Sequence, residues 1–363
     1  MSKTKHLVMG INSFVELIKD IDVVQIVSLS VFRGQRIAID GTNWLYTMAF
    51  PLYRESILSN NFDPLQLPHD RRDFMRRVCD GIGKFILMFA NVGILPVFIF
   101  DGEASKEKLE CRDKRRQSKS GHRQKINLLM RQLRDSSPLD RRMEDIALLK
   151  NLLSTDMTIL HDEMELYRSV ITGLGFPTVN ADSEGENMCV SLLLSGHVSC
   201  IWSTDTDVYA LGAPICIRRV SDTTGSRRVD VKVEVIVMKN ILDKLGLTYN
   251  QFRDVCIMCG CDFNERIPGV GPSRSLKIIR KYGDIESAMT SDEYKHREWE
   301  ILRWQRCREL LTAKTLLGYR AYGFNQTQFM KGMMYVDLTI HSNLTAAVLN
   351  LNWTRPMLKI SHD

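Results

Sequence analysis

Arg36-Ile37-Ala38-Ile39-Asp40-Gly41-Thr42-Asn43 sets the reading of this chain, because a short apolar segment runs directly into an aspartate and a glycine. The apolar part reads as a strand stopped by an acid. The pattern recurs three times: Leu95 to Phe100 ends at Asp101, Phe176 to Val179 precedes the acidic stretch 182 to 186, and Val198 to Trp202 leads to Asp205. Between these runs lie segments with helical periodicity, among them Phe74 to Phe89 and Met164 to Leu174. Strands alternating with helices predict an α/β fold with a mostly parallel central sheet and helices on both faces. In open sheets of that kind ligands bind beyond the carboxyl ends of the strands, which is where these acids fall.

Read singly, each acidic motif has an ordinary explanation. Asp40-Gly41 and Asp101-Gly102 are favoured turn dipeptides, and in Asp-Ser-Glu-Gly-Glu the pair Ser183 and Glu186 would form a capping box. Together they belong to a larger set: Asp40, Asp101, Glu184, Glu186, then Asp205 and Asp207 in Ser-Thr-Asp-Thr-Asp, and Asp262 in Cys-Gly-Cys-Asp-Phe. Seven carboxylates gathered without counterions would repel one another and push their pKa values up. Hard divalent cations remove that problem, and carboxylates without His or Cys select Mg²⁺, with Mn²⁺ as substitute, over Zn²⁺. Two such ions about 4 Å apart activate water and stabilise the leaving oxygen in phosphodiester hydrolysis. Convergence of the acids would therefore define the reaction class.

A chain of 363 residues, 44% hydrophobic and 25% charged, has material for a buried core and is neither collagen-like nor disordered. It has no Pro/Gly/Ser-rich linker and no internal repeat, so one compact body with insertions is expected. Nine scattered cysteines point to reduced thiols in an intracellular compartment. Cys256, Cys259 and Cys261 lack a second Cys/His pair at zinc spacing and read as buried thiols. Residues 11 to 29 are interrupted by Glu16, Lys19, Asp20 and Asp22, which excludes a signal peptide there. The run from Phe85 to Phe100 is broken by Asn91, Gly93 and Pro96, so no membrane association is expected.

The net charge of +6 conceals a basic stretch from Lys106 to Arg134, which includes Lys108, Arg112, Lys114, Arg115 and Arg116. Alone it reads as a solvated helix or a weak nuclear-import signal. Directly after Asp101 it suits a reader of the phosphate backbone. A second element, Ile267 to Ser275 with Gly269, Gly271 and Arg274, precedes the helical Leu276 to Tyr282. Such a glycine turn between helices, a helix-hairpin-helix pattern, offers backbone N–H groups to a phosphate.

The order and spacing of these motifs, from Met9-Gly10-Ile11 through the seven acids to Gly-Val-Gly-Pro-Ser-Arg, resemble the XPG/flap endonuclease family over residues 9 to 289. The resemblance implies a PIN-like 5′-nuclease fold with a helical arch, and all seven family metal-site acids have counterparts here. It further implies that Lys108 and Arg115 contact the scissile phosphate and stabilise its developing charge. Tyr46 matches an aromatic that stacks on a base near the cut, although the sequence alone favours simple core packing for it. Gly269, Gly271 and Arg274 would hold duplex DNA, where relatives also bind potassium; Arg266 stands where a relative's serine ligand would be.

The implied organisation is a nuclease region over 9–105, a basic arch over 106–158, an internal nuclease region over 159–245, a hairpin region over 246–290 and a C-terminal extension over 291–363. Two Mg²⁺ ions and branched or flapped DNA are the expected cofactor and partner, with the chain acting as a monomer in the nucleus, in replication or repair. Eight residues precede Met9, whose following glycine is normally the family's mature N-terminus, and no Gln-x-x-Leu-x-x-Phe-Phe motif supports docking to a sliding clamp. The compact arch favours a 5′-flap endonuclease with 5′–3′ exonuclease activity over relatives that cut bubbles or Holliday junctions. Retention of all seven acids argues against a non-catalytic junction-binding scaffold.

Overall fold

The computed structural model describes residues 11, 13–66, 69–103, 105–222 and 231–313. Met9, Gly10, the first eight residues and the end of the chain lie outside them. The strands are β1 Val24–Ser28, β2 Arg36–Asp40, β3 Leu95–Phe100, β4 Thr178–Asn180, β5 Cys200–Trp202, β6 Ile215–Asp222 and β7 Lys232–Val237. The helices are α1 Phe14–Ile18, α2 Gly41–Leu58, α3 Arg72–Val92, α4 Lys106–Asp135, α5 Met143–Ser154, α6 His161–Gly173, α7 Gly185–Leu194, α8 Asp207–Ala210, α9 Met238–Leu245, α10 Tyr249–Cys259, α11 Pro272–Tyr282, α12 Ile285–Thr290 and α13 Trp304–Leu310.

The seven strands form one sheet in the order β1-β7-β6-β5-β2-β3-β4. All pairings from β6 to β4 are parallel, and β7 runs antiparallel to both β6 and β1. The four strands read from the sequence are thus the parallel β2, β3, β4 and β5. The sequence reading did not mark β1, β6 or β7 as strands.

The apolar runs lack polar alternation because both faces of the sheet are covered. On one face Ala38, Ile99, Ile201, Cys216 and Ile236 join a core with residues of α1 and α7 to α13. On the other, Ile37, Ile39 and Phe98 are equally buried, and Trp44 at the start of α2 packs on Phe98 with ring centroids 5.2 Å apart. Cys256, Cys259 and Cys261 are buried free thiols in this core.

Contacts divide the chain into two compact units. Among the described residues, one comprises those within 11–44, 91–111 and 178–313 and contains the whole sheet; the other comprises those within 45–90 and 112–177. No linker marks the division, because the second unit is built from the segments between β2 and β3 and between β3 and β4. Within the second unit, Arg71 makes a two-pronged ion pair with Glu163 at 2.5 and 2.8 Å, and the Glu163 side chain is wholly buried. Arg71→Ala would leave that carboxylate without its cation, and a loss of about 3 kcal/mol in unfolding free energy is expected by denaturant titration.

Candidate active site

The acids occupy one edge of the sheet because four neighbouring parallel strands end there. Asp40 is the last residue of β2, Asp101 follows β3, Glu184 and Glu186 follow β4, and Asp205 and Asp207 follow β5. Asp262 arrives from another direction, three residues past the end of α10. Asp40, Glu184, Glu186, Asp205, Asp207 and Asp262 are each no more than 6% exposed, and Asp101 is half-buried. Oxygens of Asp101, Glu184 and Glu186 lie within 4.8 Å of one another.

Electrostatics ties the remaining acids to this group. Burial, followed by the charges of Glu186, Asp101 and Asp205, raises the Asp40 carboxyl well above the ordinary range, against a lowering by Ser203. Burial and then Glu186 push Asp205 up to about 7, with Asp262 adding to the effect. Asp207 is raised by burial, Asp205, Cys261, Asp262 and Glu186. Each of the seven sequence-predicted acids is thus within electrostatic reach of at least two others.

Short hydrogen bonds hold the cluster in register. Ser203 Oγ donates to Asp40 Oδ2 at 2.7 Å and accepts from Asp205 N at 3.0 Å, while Asp205 Oδ1 accepts from Asp207 N at 3.0 Å. Asn43 Oδ1 accepts from Thr204 Oγ1 at 2.6 Å, and Thr42 Oγ1 accepts from Asp101 N at 3.2 Å. Thr42, Asn43, Ser203 and Thr204 flank the acids in sequence, yet their positioning contacts were missed. The only local signal was a polar residue beside each strand-end acid.

Two motif readings are corrected. The Ser183 capping box does not form: Glu184 is the N-cap of α7 and makes no side-chain cap, because its carboxylate and that of Glu186 turn to Lys108. Gly185 N instead donates to Asp101 Oδ1 at 2.9 Å. The Asp-Gly glycines also serve close packing. A Cβ on Gly41 would lie 2.8 Å from Ile99 O, and one on Gly102 would lie 2.0 Å from Ala181 O.

Lys108, on the first turn of α4, is 7% exposed, and its Nζ donates to Glu184 and, at 2.9 Å, to Glu186 Oε1. Burial opposes its charge, but Glu186 and Glu184 outweigh that and hold the ammonium protonated. Arg115 is exposed two turns further along α4, in the second unit, and Tyr46 is half-buried on α2. The helix-hairpin-helix is α10, the turn and α11. Gly269 takes a left-handed φ of 73°, Pro272 opens α11 after Gly271, and Arg274 Nη1 donates to Gly269 O at 2.7 Å.

The donor set fits hard divalent cations. It is all oxygen, and Glu184 Oε1 and Asp207 Oδ1 are buried without a hydrogen-bond partner, an arrangement that is costly unless a cation satisfies them. Asp205 also predicts a pH effect. Its carboxyl rises from an ordinary 3.8 to about 7 in the fold, so between those values the cation-free folded state keeps a proton that the unfolded chain has lost. Cation-free stability should fall as pH rises through this window, while a cation must displace the proton. The rise in Tm on adding Mg²⁺ is expected to be larger at pH 8 than at pH 6; equal shifts would contradict the assignment.

The family model for the XPG N-terminal domain matches residues 9–122, and that for the XPG I-region matches residues 175–262. Flap endonuclease 1 of Saccharolobus solfataricus is 29% identical over 294 residues, spanning 78% of this chain and 77% of the relative. Flap endonuclease 1 of Leishmania major is 26% identical over 272 residues, but this chain spans only 63% of that relative's length. Among solved structures, the catalytic core of Rad2 in complex with DNA substrate aligns with a TM-score of 0.58 at 17% identity, covering 93% of this chain and all of that one. Flap endonuclease-1 from Methanococcus jannaschii aligns at 0.56 and 19%, covering 90% and 99%. These structures share the fold, mixed and mostly parallel. With six acids at or after the ends of four parallel strands, Asp262 following α10, and two family models together spanning more than half of its length, the chain belongs to the XPG/flap endonuclease family.

Proposed function

We propose that this protein is a structure-specific endonuclease that hydrolyses phosphodiester bonds at 5′ flaps in branched DNA, with 5′–3′ exonuclease activity, using two Mg²⁺ ions. The observation that carries the reading is the gathering of Asp101, Glu184 and Glu186 within 4.8 Å at one sheet edge, with the almost fully buried Asp40, Asp205, Asp207 and Asp262 close enough for their charges to act on this group or on one another. Asp40, Asp101, Glu184, Glu186, Asp205, Asp207 and Asp262 would hold the ions. When bound, these supply an activated water and neutralise charge on the departing oxygen.

The residues of the chain do the rest. Ser203 and Asn43 keep Asp40 and the Asp205 loop oriented. Lys108 is a cation held against Glu184 and Glu186, suited to a phosphate drawn to the same place. Arg115 would add a second cation, Tyr46 a stacking face, and Gly269, Gly271 and Arg274 a seat for duplex backbone. Selectivity would come from DNA shape and backbone contacts. Work in replication or repair, in the nucleus and as a monomer, follows from the same reading. No helix among the described residues is long and apolar enough to cross a membrane.

The test is cleavage of an end-labelled 5′-flap duplex with Mg²⁺, beside single-strand, bubble and four-way junction substrates and an EDTA control. Metal-dependent cutting preferred at the flap base is the expected result. Preference for the four-way junction would move the protein to a sister subfamily, and binding without cutting would refute catalysis.

A further inference from the structure

The segment Trp299 to Leu311 follows every motif discussed above, yet it is built into the site. Trp299, Leu302, Cys307 and Leu311 are fully buried, and Leu310 and Leu311 help line a small cavity whose other walls include Glu184, Glu186 and Asp207. Two sets of polar contacts leave this segment toward the acids. Asn264 Nδ2, two residues past Asp262, donates to Leu302 O and to Ile257 O, both at 2.9 Å. Arg306 Nε donates to Glu107 Oε1 at 2.7 Å, and Arg303 Nη1 donates to Glu110 Oε2 at 3.2 Å.

The ion pairs match in spacing. Glu107 and Glu110 lie three residues apart on one face of α4, and Arg306 on the first turn of α13 and Arg303 at its N-cap meet them in the opposite sense. Glu107 and Glu110 bracket Lys108 on the first turns of α4, and the Glu107 side chain is only 16% exposed. Arg303 itself occupies the left-handed region, with φ 45° and ψ 38°, where a side chain is strained. Such a conformation persists only where its surroundings hold it.

We infer that Trp299–Leu311 is a positioning brace for the nuclease site. Arg303 and Arg306 fix the first turns of α4, and with them Lys108, while the Leu302 carbonyl fixes the loop that carries Asp262. The inference rests on the nuclease reading above for its catalytic consequence, but the bracing of α4 can be read without activity. The two arginine side chains are half-exposed and their loss does not threaten folding. What they determine is where Lys108 sits, and misplacement of about 1 Å is enough to slow a reaction.

The test uses the full chain with R303E/R306E, and the charge-swapped variant that adds E107R/E110R. The single-turnover rate on saturating flap DNA should fall about tenfold in R303E/R306E with Kd changed less than about twofold, and the swap should recover most of the rate. Amide exchange over residues 105–111 should speed up in R303E/R306E and slow again in the swap. Unchanged exchange would overturn the brace, as would a weakened Kd at constant rate, which would make the arginines DNA contacts. Failure of the swap to restore either reading would also overturn it. If the parent chain does not cut, the nuclease reading fails while the exchange result still decides the brace.

Discussion

Asp205→Asn is expected to reduce 5′-flap cutting by at least about a hundredfold while leaving affinity for the flap largely unchanged. Asn keeps the size of the side chain and can still accept from Asp207 N, a bond of 3.0 Å in the parent, so the loop should stand. What it removes is one negative charge from a buried cluster in which Glu186 and Asp262 already oppose ionisation of Asp205. With one ligand charge fewer the site should hold Mg²⁺ more weakly, whereas DNA affinity rests mainly on phosphate contacts elsewhere. The same substitution should raise Tm in EDTA, because it relieves repulsion among the remaining acids. Full cutting by both Asp205→Asn and Asp207→Asn would refute the metal-site assignment.

Gly102→Ala should produce a comparable loss of cutting by a steric route. Its Cβ would lie 2.0 Å from Ala181 O and 3.0 Å from Asp182 C, both backbone atoms that cannot rotate away. Gly102 N also donates to Ser183 O at 2.6 Å, so the chain after Asp101 and the chain before Glu184 are pressed together at this point. Relief of the clash must separate these strands' ends and with them Asp101 and Glu184, whose oxygens now lie within 4.8 Å. Overpacking of this kind should cost about 1–3 kcal/mol in stability, and the displaced ligands should reduce kcat on the order of a hundredfold. Paired denaturant titration and flap kinetics read both quantities. A variant with parental stability and rate would show that the backbone contact has no role in the site.

Both results depend on convergence, which the chain states only in part. The stops after β2, β3, β4 and β5 were legible because each is local: a short apolar run followed at once by an acid. Their alternation with helices implied a parallel sheet, and a parallel sheet puts its strand ends on one edge. Asp262 is different, since it follows a helix; Cys-Gly-Cys-Asp-Phe placed it in the set, but no strand ahead of it showed how it would reach the others. The antiparallel strands β1 and β7 were not anticipated. Their residues, from Val24 to Ser28 and from Lys232 to Val237, carry no acid at a strand end and pair across more than 200 positions of chain.

The sequence by itself determined which residue types could do chemistry, the parallel character of the sheet that would gather them, and the family to which they belong, because those properties reside in short patterns and their order. The tertiary structure alone decided how they are used. It made Gly102 a packing requirement, set Ser203 against Asp40 and Lys108 against Glu184 and Glu186, and brought Arg306 to Glu107. Each of those contacts joins residues about 80 to 200 positions apart, and whether they fall within hydrogen-bond distance depends on how strands, helices and the C-terminal segment pack, which no local periodicity encodes.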